Sequence, residues 1–271
     1  MDILTAVLVL VLGFAVGVPS SMVGLGGGVI IVPALIVLFG VPANNAIAIS
    51  LVAILGTTIS ATVGYVRHKQ IDYKLGLLYD VLDIPGIVLG AFVTTILPQN
   101  ILAGICGIFV LFIAFIMIRN KRKTTCENPE TTKKWARNGV DHKGNSITYH
   151  LHSRSLAMLS SFMGGIVTGL AGLGGGITDV TSMILLGVPT HIAVATSEFA
   201  MALTNGVGVI THGLLNNLLL DYAIPITIGT IIGAQVGCHL TKRVNAKSIR
   251  TILFAIAIIA GVRLIFQFYM P

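Results

Sequence analysis

The sequence is organised around a glycine-rich stretch that occurs twice, as GLGGGVI at residues 24–30 and as GLGGGIT at residues 172–178. Each copy lies between two apolar segments, and the second begins 148 residues after the first. Glycine adopts a positive φ at little cost, but it weakens a continuous helix. These two stretches, the glycine runs, therefore predict breaks between helical pieces. In a lipid bilayer such a break survives only where protein or a water-filled cavity shields it.

The helical pieces that follow the glycine runs are short, and they begin at the breaks. Amide groups at the start of a helix carry partial positive charge, so each break offers a concave surface suited to an anion. A plainer interpretation is that the glycines let membrane helices pack closely. Paired broken helices at matching positions of two halves are typical of transporter binding sites, and this pattern favours a binding site.

The composition is that of a polytopic membrane protein. Of the 271 residues, 55% are hydrophobic and 10% are charged, and the mean hydropathy is +0.93. The net charge of +7 does not indicate nucleic-acid binding, because much of the excess lies in one stretch between residues 119 and 154, where nine Lys/Arg outnumber three Asp/Glu. A basic cytoplasmic loop explains this excess. The segment 3–18 has no basic leader and continues into the first glycine run, so we do not interpret it as a cleaved signal peptide.

The apolar segments follow the same order in both halves. In the first half they are 3–18, 29–39, 45–66, 75–97 and 101–118, and in the second half they are 155–171, 177–186, 191–211, 220–240 and 252–268. Local matches such as Val41-Pro42 with Val188-Pro189 support a repeat. We expect a first membrane repeat at 1–118, a basic cytoplasmic linker at 119–154 and a second membrane repeat at 155–271.

Loop charges predict how the halves are oriented. If the basic loops at 67–74, 119–154 and 241–250 are cytoplasmic, then the loop at 40–44 is external and the loop at 187–190 is cytoplasmic. Each glycine run then lies in a hairpin, and the two hairpins enter the membrane from opposite sides. The predicted fold is an all-α polytopic membrane protein with two inverted-topology repeats, each with a glycine-broken helical hairpin followed by three spanning helices. Such inverted repeats are the architecture of alternating-access carriers.

At these residues the sequence resembles a known family. The GLGGG runs, the Val32-Pro33 pair after the first run, the two-half plan and the basic linker are similar to the TauE/SafE family of sulfite exporters and organosulfur-anion permeases. The resemblance covers nearly the whole chain apart from the linker. It implies transport of sulfite, or of small sulfonates and related carboxylates, across the plasma membrane. The second copy departs from the pattern, with TDVT at 178–181 where the first has IIVP at 30–33, which leaves open whether the halves contribute equally.

Four acidic residues fall inside apolar segments, namely Asp80, Asp83, Asp179 and Glu198. Charges at that depth are expensive, so such residues usually face a cavity, pair with another group or carry a proton. We expect a structural role for Asp80. Glu198, Asp179 and Asp83 are the candidate residues for coupling transport to protons.

The predicted substrate site combines the backbone of the glycine runs with nearby hydroxyl groups. Its residues are Gly24, Gly26, Gly27, Gly28, Gly172, Gly174, Gly175, Gly176, Ser50, Ser197 and Thr178. Thr57, Thr58, Thr204 and Asn205 lie in corresponding spans and could hydrogen-bond a substrate. Hydrogen bonds between helices are the commoner use of such groups.

The sequence predicts no catalytic, metal or cofactor site. HExxH and GxSxG motifs are absent, and Cys106, Cys126 and Cys238 lack the spacing of a zinc or disulfide motif. A thiol relay through Cys106 and Cys238 is the least favoured route, because buried cysteines usually pack as small apolar groups. The histidines near span ends, expected at the membrane interface, are His191, His212 and His239.

We therefore expect a multi-pass plasma-membrane transporter for a small oxyanion, with proton coupling as a further hypothesis. The alternatives are an anion channel or uniporter, and a permease for thiosulfate or small carboxylates. The expected partners are a small anionic substrate and the lipid bilayer, not nucleic acid. A second copy of the chain, in a homodimer, is a further candidate partner.

Overall fold

The computed structural model describes residues 2–23, 26–67, 69–119, 136–140, 146–151 and 153–240, and also residues 258, 259, 261–263 and 265. The helices of this part are α1 (Ile3–Val23), α2 (Gly28–Phe39), α3 (Ala43–Arg67), α4 (Tyr73–Ile96), α5 (Gln99–Arg119), α6 (Arg154–Ala171), α7 (Gly176–Leu185), α8 (Thr190–Leu214) and α9 (Leu220–Leu240). A short antiparallel hairpin, β1 (Ala136–Val140) and β2 (Ser146–His150), lies between α5 and α6. The predicted segment 252–268 lies mostly outside the described residues, and its few described residues are helical.

The protein is an all-α multi-pass membrane protein, as predicted. Five helices of the described part, α1, α3, α4, α8 and α9, are long and apolar enough to cross a membrane. Every predicted segment up to residue 240 corresponds to a helix whose ends lie within five residues of the prediction. The inverted relation of the two halves stays a prediction.

The helices present apolar side chains on both their outer and inner surfaces. Ile3, Ile96 and Leu214 are each more than 70% exposed, as suits side chains that contact lipid. Inside, a large hydrophobic cluster includes Leu35 of α2 and Ile47 of α3, both fully buried. A helix that is apolar all round is typical of a membrane span.

The first helix of each half packs along the fourth helix of the other half, α1 along α9 and α6 along α4. In the first contact, Gly13 faces the backbone of Ile226, and Gly17 faces the backbone of Thr230. Both residue numbers increase together, so α1 and α9 run parallel. A side chain on either glycine would collide with the neighbouring helix, which explains the small residues at four-residue spacing.

The same arrangement recurs between α4 and α6. Gly86 and Gly90 of α4 face the backbone of α6, and Gly165 and Gly169 of α6 face the backbone of α4. These two helices also run parallel. Close backbone approach through small residues therefore joins the two halves at two places.

The central helices α3 and α8 pack against each other, and the start of α3 lies beside the end of α8. The side-chain amide of Asn44 donates to Oδ1 of Asn217 at 2.9 Å, and that of Asn45 donates to the carbonyl of Asn217 at 2.8 Å. The two helices are therefore antiparallel. The backbone amide of Asn44 also donates to Oε1 of Gln99 at 3.4 Å, which brings the start of α5 to the same end.

At the opposite end of α3, Asp72 connects three elements. Its carboxylate accepts from the amide of Leu75 at 3.0 Å and so caps α4, and its own amide donates to Oγ1 of Thr196 in α8 at 3.1 Å. The hydroxyl of Tyr149 in β2 donates to the second Asp72 oxygen at 2.7 Å. The described end of the linker is thereby fixed to the helices.

The β1–β2 hairpin lies within the basic linker, about whose structure the sequence analysis made no prediction. Tyr149 and Leu151 are buried in a second hydrophobic cluster with Leu75 of α4, Met183 of α7 and Val188 of the α7–α8 loop. These two apolar side chains attach the end of the otherwise charged linker to the helices. Their burial gives a physical reason for order at this point.

Candidate functional site

The helices break at the glycine runs, as predicted. α1 ends at Val23 and α2 begins at Gly28, while α6 ends at Ala171 and α7 begins at Gly176. The glycines with positive φ at these breaks are Gly26 (68°), Gly27 (89°), Gly172 (64°), Gly174 (83°) and Gly175 (68°). Residues with a Cβ atom rarely adopt this region, so the breaks require glycine. Gly24, also predicted in the site, lies outside the described residues.

The second break is the turn of a hairpin, because α7 returns along α6. A Cβ atom on Gly175 would lie 3.1 Å from Oγ1 of Thr168, and one on Gly164 would lie 3.0 Å from Oγ1 of Thr178. At the first break, a Cβ atom on Gly27 would lie 3.0 Å from Oγ of Ser20 in α1. The arms after the breaks are short, 12 residues in α2 and 10 in α7.

The two breaks contact each other inside the molecule. Gly28 packs directly against the carbonyl of Gly172, and a Cβ atom on Gly28 would lie 2.9 Å from Cα of Leu173. The hydroxyl of Ser50 in α3 donates to the same carbonyl at 2.8 Å. Since α2 begins at Gly28 and α7 begins at Gly176, two helix N-termini lie close to this contact.

The predicted hydroxyl groups divide into two kinds. Those of Ser50 and Thr178 donate to carbonyls of the second glycine run, Gly172 at 2.8 Å and Gly175 at 2.6 Å. They stabilise the backbone of the break. Ser197 of α8 is fully buried, and within the described part its hydroxyl has no hydrogen-bond partner.

Three of the four acidic residues lie on α4 and α7. Oγ1 of Thr204 donates to Oδ1 of Asp80 at 2.9 Å, which is the structural pairing expected for Asp80. Oδ2 of Asp80, Oδ1 of Asp83 and both oxygens of Asp179 are buried without a hydrogen-bond partner in the described residues. Asp80, Asp83 and Asp179 are each at most 3% exposed.

Adjacent glycines of α6 make room for two of these carboxyl groups. A Cβ atom on Gly165 would lie 2.8 Å from Oδ1 of Asp83, and one on Gly164 would lie 3.3 Å from Oδ1 of Asp179. The fold thus brings Asp83 and Asp179, which are far apart in the sequence, to neighbouring positions along α6.

Glu198 lies on α8 beside Ser197 and is 5% exposed. None of the Lys or Arg side chains that the structure describes is buried, so no buried cation there compensates the acidic residues. Among the same residues, no group of three or more His, Cys, Asp or Glu side chains is placed to hold a metal ion.

The sequence did not predict the positions of three buried residues near these elements. Asn205, expected to hydrogen-bond between helices, is fully buried, and neither of its side-chain polar atoms has a partner in the described part. His212, expected at the membrane interface, is fully buried, with Nε2 3.3 Å from the carbonyl of Gly169. Ile54 lies against both glycine runs. An isoleucine within an apolar segment gives no sequence signal of this position.

The comparison with known proteins identifies the family of this chain. The model of the family described as sulfite exporter TauE/SafE matches residues 9–264. The chain belongs to this family. It is similar to the "Probable membrane transporter protein YunE" of Bacillus subtilis, with 32% identity over 96% of this chain and 97% of that protein.

Other members of the TauE/SafE family are more distant. The "Probable membrane transporter protein MJ0441" of Methanocaldococcus jannaschii is 23% identical over 94% of this chain and 93% of its own length. The "Sulfite exporter TauE/SafE family protein 3" of Arabidopsis thaliana is 26% identical over 86% of this chain and 71% of its own length. No solved structure gives a significant match. The protein is a multi-pass membrane transporter of the TauE/SafE family.

Proposed function

We propose that this TauE/SafE transporter carries a small oxyanion, sulfite or a related sulfur-containing anion such as a sulfonate, across the plasma membrane by alternating access. The observation that carries the proposal is the contact between the two glycine breaks, with the starts of α2 and α7 close by. The first amides of a helix lack intrahelical acceptors, and the helix dipole adds partial positive charge there. Two such ends attract an anion without a charged side chain.

The preference for a sulfur-containing anion has a separate basis. The matching family is described as sulfite exporters, and the name of the relative in Arabidopsis thaliana repeats that description. A compact oxyanion suits a site built from backbone amides, because several amides then reach its oxygens at once. Thiosulfate and small carboxylates share this chemistry and are the alternative substrates.

Asp179 gives the proposed anion site a link to protons. It is fully buried in the first turn of α7, and its Oδ2 would lie 3.3 Å from a Cβ atom on Gly175. An ionised carboxylate at this helix end would repel a second anion, whereas a protonated one would not. Binding of the anion and binding of a proton therefore favour each other. Asp83 and Glu198, both buried, are the further groups proposed on the proton route.

Alternating access is supported by the way the halves interlock. The contact of α1 with α9 corresponds to that of α6 with α4, and α3 pairs with its counterpart α8. Two halves whose corresponding helices pack against each other in this way fit an inverted repeat around a central site. An anion channel or uniporter is the alternative, and counterflow of labelled substrate separates a carrier from a channel.

The test of the anion site replaces Gly27 and Gly175 separately by alanine. A Cβ atom would lie 3.0 Å from Oγ of Ser20 at Gly27 and 3.1 Å from Oγ1 of Thr168 at Gly175, so alanine should shift the amides of the break. The positive φ adds about 1–2 kcal/mol of strain. We expect sulfite affinity, measured by calorimetry on the purified protein, to fall by roughly tenfold or more, which corresponds to about 1.4 kcal/mol.

Gly40→Ala is the matched control. Gly40 ends α2 with φ of 63°, and a Cβ atom there would have no neighbour within 4 Å. This variant has similar backbone strain away from the breaks, so it should lose a comparable amount of stability and keep its sulfite affinity. Parent-like affinity in folded Gly27→Ala and Gly175→Ala variants would contradict the proposed site.

A further inference from the structure

The side chain of Ile54 fills the space beside both glycine runs. A Cβ atom on Gly26 would lie 3.1 Å from Cγ2 of Ile54, and one on Gly28 would lie 2.9 Å from its Cδ1. On the other run, a Cβ atom on Gly174 would lie 2.9 Å from Cδ1 and 3.1 Å from Cγ2. One isoleucine of α3 therefore contacts the starts of both short helices.

Ile54 differs from an ordinary core residue of the same helix. Ile49 is also fully buried, and it belongs to the large hydrophobic cluster. Ile54 is equally buried but lies outside both hydrophobic clusters of the described residues. Its neighbours in the two glycine runs have no side chain to pack against it. The Ile54 side chain therefore occupies the space next to the glycine backbone of both breaks.

A second apolar residue, Met201 of α8, lies close by. It is 1% exposed, and its sulfur would lie 3.9 Å from a Cβ atom on Gly26. Like Ile54, Met201 lies outside both hydrophobic clusters. Methionine has three rotatable bonds and adapts to irregular space, so it can follow a movement of its neighbour.

We propose that Ile54 is the specificity-determining residue of the anion site, and that it limits the bound substrate to a compact oxyanion. This inference rests on the proposed function. An anion held by the amides at the starts of α2 and α7 shares its space with the methyl groups of Ile54. Sulfite, with no carbon substituent, needs only a small displacement of this side chain. An alkyl sulfonate carries a chain that collides with it.

The test compares sulfite with propanesulfonate in the purified full-length protein, with calorimetric dissociation constants for both. The variants are Ile54→Val and Ile54→Ala, and Ile49→Ala is the matched control. The parent should prefer sulfite. Because removing a methylene from a pocket changes discrimination by about tenfold or more, Ile54→Ala should reduce the preference by roughly that factor. Ile54→Val should reduce it less, and Ile49→Ala should lower stability and keep the preference.

The outcomes separate this inference from the proposed function. A parent that binds sulfite but does not prefer it over propanesulfonate overturns the role of Ile54. The same holds if Ile54→Ala keeps the parental preference, or if Ile49→Ala changes it as much. If Ile54→Ala fails to fold, the preference of Ile54→Val decides in the same way. A parent that binds neither anion refutes the anion site itself, and the inference with it.

Discussion

The carboxyl group of Asp179 is fully buried, and neither of its oxygens has a hydrogen-bond partner in the described residues. A buried charge without a partner is expensive, and intramembrane acids of this kind mark ion or proton pathways. Asp179 lies beside Gly164 of α6, and Asp83 lies beside the next residue, Gly165. One oxygen of Asp83 also has no hydrogen-bond partner in the described residues. The corresponding position of the first glycine run is Ile31. The carboxyl group beside the glycine break is therefore found only at the second run, while the glycine breaks occur in both halves.

Replacing Asp179 by asparagine keeps the shape of the side chain and removes its titratable group. We expect sulfite uptake into proteoliposomes to lose its dependence on a pH gradient, while exchange of sulfite across the membrane continues. Asp221→Asn is the control, because Asp221 is an exposed acid in the first turn of α9. Full gradient dependence in Asp179→Asn would remove this residue from the proton route.

Some residues of the candidate site can be predicted from the sequence and others cannot, for a physical reason. Asp179, Asp83 and Glu198 stand out because a charge is rare in an apolar segment. Ile54 does not stand out, because its neighbours in the sequence are equally apolar and its contacts come from α2 and from the α6–α7 turn. His212 lies near the end of a long span, yet the packing of α8 buries it completely.

At the scale of helices, hydropathy predicts where each helix lies but not which helices touch. A membrane span is recognised by its length and apolar composition alone, and the ends of α2 to α9 were accordingly close to prediction. The partner of a span depends on small residues whose four-residue spacing matches on two helices. Gly13 and Gly17 of α1 match Gly229 and Gly233 of α9, but similar spacings elsewhere leave the pairing ambiguous in the sequence.

The close contact between the parallel helices α1 and α9 predicts that Gly→Ala substitutions differ sharply in their effect on stability. Gly229 faces the carbonyl of Leu10, and a Cβ atom there would also lie 2.9 Å from the amide of Phe14. Gly229→Ala should therefore force α1 and α9 apart and lower stability by about 1–3 kcal/mol. Thermal unfolding of the purified protein measures the change.

Gly64 provides the control for this substitution. It lies within α3, and a Cβ atom there would have no neighbour within 4 Å. Because alanine favours a helix more than glycine does, Gly64→Ala should leave stability unchanged or slightly raised. Equal melting temperatures for Gly229→Ala and the parent would contradict the close packing of α1 and α9.

Across the whole molecule, the two ends of the helix bundle differ in charge. One end contains the loops around residues 40–44, 97–100 and 215–219, which hold no charged residue and are joined by the hydrogen bonds of Asn44. The other end contains the basic loop at 67–74 and the described part of the linker, joined through Asp72. Because basic loops remain in the cytoplasm, we expect the basic end to face the cytoplasm and the uncharged end to face outward.

This difference predicts that the α2–α3 loop is external and that the α7–α8 loop is cytoplasmic. The test introduces Pro42→Cys or Thr190→Cys into a background without Cys106, Cys126 and Cys238. Pro42 suits the experiment because it is exposed, whereas its neighbour Ala43 is buried, and Thr190 is partly exposed. In intact cells a membrane-impermeant maleimide should label Pro42→Cys, and it should label Thr190→Cys only after the membrane is opened. Labelling of both variants from the same side would refute the inverted repeat, because the short helices after the two glycine runs would then end on one face of the membrane.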